Sequence, residues 1–154
     1  MEHSFIIYSF FFYSMDMNLN WLAIGVCTLL MFMGGAVWHG PIFGKLWMKI
    51  HHGDKKFTEE ENEKLMQGMW KLMLTEFVVS FLMIIGLACI IQAIPEYSGI
   101  RNALMIWVAF VLPTLASSVL WGGDKRKWMF AKVAVTGSYR LLMLVLVGYI
   151  LSVW

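Results

Sequence analysis

Glu76, in LMLTEFVVSF, and Arg140, in GSYRLLMLVLV, stand inside long uncharged stretches. A carboxylate and a guanidinium in apolar surroundings can do two things. Paired with each other, they fix the register of the elements that carry them; facing a passage, they bind or gate a solute. Left alone at the centre of a bilayer, each costs roughly 2.5–3.5 kcal/mol. A second set consists of His39 in WHGPIFGKLW, Ser117, Ser118 and Tyr139, which together offer donors and acceptors for a polar cluster.

Other chemistries lack their residues. There is no HExxH and no pair of histidines at i, i+4, so no metal or haem site is expected. Cys27 and Cys89 sit singly in apolar runs and read as small packing residues. GxSxG, Walker and GxGxxG patterns are missing, so no catalytic residue, no cofactor and no enzyme activity are assigned.

The elements that carry these residues follow from composition. The chain of 154 residues is 60 % hydrophobic and only 14 % charged, and its charges gather in short segments separated by charge-poor runs. That is the pattern of an integral membrane protein, because a spanning helix satisfies its own backbone in lipid but cannot cheaply carry ions. A net charge of +2, with basic residues beside apolar runs, gives no footprint for nucleic acid.

Four spans are expected, at about 21–38, 73–94, 103–121 and 133–154, forming an all-α bundle of transmembrane helices. Residues 18–154 make up this membrane domain. Residues 1–17 read as an interfacial or disordered tail without a cleavable signal, with Met15 and Met17 as alternative starts. Gly25, Gly34 and Gly35 mark the packing face of span one. Thr58 followed by Glu61 predicts a capping box opening a helix that continues unbroken into span two. Pro113 predicts a kink in span three, with Thr114, Ser117 and Ser118 as donors to the freed carbonyl.

Ten of the twelve basic residues lie in the connections between spans one and two and between three and four, against Arg101 alone between two and three. The positive-inside rule then puts both termini on the non-cytoplasmic side. Glu76 lies five residues beyond Lys71, about 8 Å, and Arg140 eight residues beyond Lys132, about 12 Å. Both distances are measured from the same side, which predicts an ion pair between spans two and four.

WHGPIFGKLW closes span one. Trp38 and Trp47 suit headgroup depth, Gly40 and Pro41 are expected to break the helix, and Phe43 dips back toward the apolar layer. Ile42, Leu46 and Ile50, spaced by four, predict a short interfacial helix, with Lys45 and Lys49 toward lipid phosphates. The stretch GGAVWHGPIFGKLWMKIHHG resembles the signature of a bacterial membrane family, domain of unknown function 1761. That family has about four spans and a W-Y-x-P-L-F-G-K-x-W element after the first. Trp38, Pro41, Phe43, Gly44, Lys45 and Trp47 match, while His39 replaces the usual tyrosine and Ile42 the usual leucine. The resemblance runs from about Met17 to the end and implies architecture, not activity. Imidazole and phenol both donate and accept hydrogen bonds, so anchoring is the role they can share.

Three functions fit these features: an oligomeric solute or ion permeation protein or accessory subunit, with Glu76 and Arg140 at the constriction; a membrane enzyme or quinone or lipid binder with its pocket around His39; or a membrane scaffold. The expected setting is the bacterial inner membrane, and the expected partners are membrane lipids and a second copy or another membrane protein.

Overall fold

The computed structural model describes residues 18–53, 58–123 and 125–154; the tail at 1–17 lies outside them. Among the described residues every regular element is helical. Helix α1 (Trp21–Val37) opens on Asn20, whose side-chain oxygen accepts from the Ala23 N–H at 3.0 Å. It passes through a wide π turn (Trp38–Ile42) into the short amphipathic helix α2 (Gly44–His52). Helix α3 (Glu59–Gln67) leads to α4 (Met69–Ala93). Span three comprises α5 (Gly99–Ile106), a π turn (Trp107–Val111) and α6 (Leu112–Trp121), and α7 (Arg126–Val153) closes the chain. Four helical segments, Trp21–Ile42, Met69–Ala93, Gly99–Trp121 and Arg126–Val153, are long and apolar enough to cross a membrane.

Three expectations change in detail. The helices of spans two, three and four begin four to seven residues before the boundaries read from hydropathy, because hydropathy marks the part that suits hydrocarbon and helical hydrogen bonding continues past it. The capping box forms, with the Glu61 N–H donating to Thr58 Oγ1 at 3.3 Å and the Thr58 N–H to Glu61 Oε2 at 3.1 Å. The helix it opens does not run unbroken into span two, however: it stops at Gln67 and restarts at Met69 across Gly68, the residue type that loses most backbone freedom when held helical.

The third change concerns the prolines. Gly40 and Pro41 do not end the first span, since the π turn carries the helix to Ile42 with the Phe43 N–H donating to the Trp38 carbonyl at 2.9 Å. Pro113 is absorbed in a related way. The π turn before it resets the hydrogen-bond register, so that proline occupies the first turn of α6, where a missing N–H does little harm. Ser118 does not serve the proline; its hydroxyl donates to the Leu115 carbonyl at 2.8 Å.

Helix α7 packs on each of the other three spans, and α4 packs on α1 and α5. Ile24, Cys27 and Met31 of α1, Ile84, Leu87 and Ala88 of α4, Ala103 of α5, and Leu144 and Val147 of α7 form the buried core. The outward positions are apolar as well: Leu22, Leu82, Phe110 and Leu142 are all exposed. Such a surface suits lipid and leaves close fit, rather than hydrophobicity, to choose the inward faces.

That fit rests on small residues. A Cβ on Gly34 would lie 2.9 Å from the Met143 sulfur, and one on Gly35 would lie 2.8 Å from the Tyr139 hydroxyl, whereas one on Gly25 would touch nothing within 4 Å. The packing face of α1 therefore includes Gly34 and Gly35 but not Gly25. Closest of all are α5 and α7, where the backbones of Gly99 and Gly148 meet and a Cβ on Gly99 would run into the Gly148 carbonyl.

Candidate functional site

Near the end of the bundle that carries the basic connections, α1, α2, α4 and α7 border a half-open cavity of about 410 Å³. Helical spacing builds its walls. Phe32, Gly35, Ala36 and His39 recur at i, i+3, i+4 and i+7 along the first span; Leu72, Met73 and Glu76 lie on one face of α4; Thr136, Tyr139 and Arg140 lie on one face of α7; Trp47 enters from α2. The lining is mostly apolar and aromatic, with Glu76, Thr136, Tyr139 and Arg140 on the α4 and α7 sides and His39 facing them from the end of span one.

Arg140 Nη2 donates to Glu76 Oε1 at 2.7 Å, across 64 positions of sequence. The Arg140 side chain is 16 % exposed and that of Glu76 is 46 % exposed, so the carboxylate forms the accessible side of the pair. The Arg140 guanidinium carbon also lies 5.5 Å from the centre of the Tyr139 ring, within cation–π range. Arg140 Nη1 is buried and has no hydrogen-bond partner among the described residues.

His39 lines the same cavity. Its Nδ1 lies 3.1 Å from the Gly35 carbonyl. A carbonyl can only accept, so Nδ1 carries the proton, and Nε2 of the neutral ring presents a lone pair. Nε2 is buried and has no partner among the described residues. The His39 ring packs edge-on against Tyr139, with centroids 5.3 Å apart, and against Trp47 at 4.6 Å.

Tyr139 is the keystone of this wall. It is buried, and its hydroxyl donates to the Met31 carbonyl, tying α7 to α1. Trp38 adds a parallel tie, with its Nε1 donating to the Val135 carbonyl at 3.0 Å, and Trp107 does the same from span three to the Gly137 carbonyl at 3.0 Å. The tryptophan at the end of span one is thus fastened to α7 as well as stacked on Phe43, whose ring centre is 4.9 Å away. Tyr139→Phe should lower stability by about 1 kcal/mol through loss of the inter-helix hydrogen bond. Thermal unfolding in mild detergent measures it, and an unchanged midpoint would mean that the bond adds nothing net.

The other residues of the sequence reading fall elsewhere. Ser117 and Ser118 are exposed on α6 and do not line the cavity. Of the interfacial motif only His39 and Trp47 reach it; Pro41 and Lys45 are exposed, while Phe43 and Gly44 shape the turn into α2. Gly35, read from the sequence only as a packing residue, belongs to the site, and so do Phe32, Ala36 and Thr136, which carry no sequence signal of their own. Counting back by three, four and seven from His39 and by four from Arg140 reaches all of them, once those two residues are known to share a cavity.

The architecture and site together define a helical membrane protein with four spans and a cavity walled by an ion pair. The chain belongs to the family described as protein of unknown function DUF1761, whose family model matches residues 22–152. Neither the curated proteins nor the solved structures yield a match to it.

Proposed function

We propose that this chain is a bacterial inner-membrane protein that binds a lipid-soluble small molecule in the cavity between α1, α2, α4 and α7. The observation that carries the reading is the cavity itself: about 410 Å³, apolar over most of its wall, with a Glu76–Arg140 pair at 2.7 Å on one side. Ligand sites have this size and this combination of apolar lining with few convergent polar groups. Ten basic residues against one support an orientation with the cavity toward the cytoplasmic leaflet and both termini on the other side. Surrounding lipids are then direct partners of the exposed apolar faces.

Permeation by an oligomer is less well supported. Four short helices enclose little volume, so a pathway needs further copies of the chain, whereas the cavity is walled by one chain. A pure scaffold gives the pair a use in fixing helix register but leaves the cavity beside it without a role.

Native mass spectrometry of protein released from mild detergent tests the proposal. Wild type should carry a bound small molecule, and Thr136→Phe, which pushes a ring into the cavity from α7, should lose it while keeping its thermal midpoint. Equal retention by both proteins, or no retained molecule in either, would overturn the cavity reading. Ion or dye flux in proteoliposomes that disappears in Glu76→Ala would replace it with permeation.

A further inference from the structure

We infer that the ligand of this cavity is a neutral ring compound bearing a hydroxyl and an apolar tail, of the phenol or quinol class; the inference rests on the cavity being a binding site. Three features of the wall converge on it.

The first is charge. Glu76 and Arg140 neutralise each other at 2.7 Å. An anionic head attracted to Arg140 would meet the Glu76 carboxylate beside it, and a cationic head would meet the guanidinium, so neither sign gains a clear advantage. A neutral head disturbs nothing and leaves the pair intact, which matters where removing one charge strands the other.

The second is hydrogen-bonding capacity. Arg140 Nη1 can only donate, and it lacks a partner among the described residues. His39 Nε2 also lacks one, and with Nδ1 committed to the Gly35 carbonyl it can only accept when the ring is neutral. A hydroxyl is the smallest group that accepts from the first and donates to the second. A lone ketone or ester carbonyl would serve Arg140 and leave His39 unserved.

The third is shape. Phe32, Trp47 and Tyr139 give the cavity flat aromatic surfaces on separate helices, suited to the faces and edges of a ring. Trp47 packs 4.6 Å from the His39 ring and stands on a short helix outside the spans. Leu72 and Met73 are 67 % and 48 % exposed on the α4 side, giving an apolar tail a route into the acyl layer.

The test compares four probes that share an eight-carbon tail against wild-type protein in nanodiscs: para-octylphenol, its O-methyl ether, octyl phosphate and octylammonium. Dissociation constants are read by titration. The phenol should bind most tightly, and the ether about tenfold or more weaker, because methylation removes the proton offered to His39 while keeping ring and tail. His39→Phe, which retains a ring without the acceptor, should bring phenol and ether to the same affinity. Equal binding of phenol and ether by wild type overturns the hydroxyl assignment without reference to any variant. Tighter binding of the phosphate or the ammonium overturns the neutral class and leaves the cavity as a site. If all four bind Thr136→Phe as well as they bind wild type, the cavity reading itself fails.

Discussion

Arg140→Leu should destabilise the bundle by about 3 kcal/mol, the largest effect expected of any single charge removal here. The substitution leaves Glu76, five residues inside the helix from Lys71, as an unpaired carboxylate in an otherwise apolar stretch. The lost 2.7 Å bond is the smaller part of the cost. Most of it is the desolvated charge left behind, and that predicts the outcome of the double variant. Glu76→Leu combined with Arg140→Leu removes both charges and fills their places with groups that suit lipid, so its stability should return to within about 1 kcal/mol of wild type. Unfolding in mixed detergent micelles, with both singles and the double, closes the cycle. A double variant as unstable as Arg140→Leu would mean that the loss comes from packing on Tyr139 and not from charge. On the proposed function the restored double variant should nevertheless hold no ligand, since Arg140 Nη1 has gone with the pair.

Gly99→Ala should cost roughly 3 kcal/mol, at the upper end of what one added methyl group does in a packed interior. Overpacking is usually relieved by rotating a side chain, but here the new Cβ would meet the Gly148 carbonyl, so whole helices must separate. Gly148→Ala meets the same obstacle from the other side, with Gly99 backbone and the Ala103 Cβ in its way. The control is Gly86→Ala, where an added Cβ touches nothing within 4 Å. There the ordinary preference of a helix for alanine over glycine should stabilise by about 0.5–1 kcal/mol. Thermal midpoints in detergent read all three. If Gly99→Ala and Gly86→Ala move the midpoint the same way, backbone proximity is not what joins span three to span four. The contact is far from the cavity, since Gly148 lies eight residues beyond Arg140, about 12 Å along α7. Ligand retention by folded Gly99→Ala protein should therefore match wild type.

These two substitutions also mark where sequence reading works and where it stops. Charge and hydropathy are one-dimensional signals, and they located four spans, the basic connections and a capping box at Thr58. Depth is one-dimensional too. Counting from Lys71 and Lys132 put Glu76 and Arg140 at one level, and in the structure their side chains are in contact. Ser117 and Ser118 show what depth omits, for they are exposed on α6 away from the cavity. Rotation about the helix axis separates the two cases, and in lipid the usual guide to rotation is lost because apolar residues cover both faces of every span.

By itself the sequence determined which segments suit hydrocarbon, which ends carry positive charge, and which charged residues needed partners, because each follows from the solvation of a residue or a short run. Tertiary structure alone decided that Gly34 and Gly35, but not Gly25, face α7, that Gly99 meets Gly148, that Trp38 and Trp107 donate into the carbonyls of α7, and that His39 shares a cavity with the ion pair. Each of these depends on the angle and distance between helices far apart in the chain. Those quantities are set by the fit of all the facing side chains together, and no local pattern contains them.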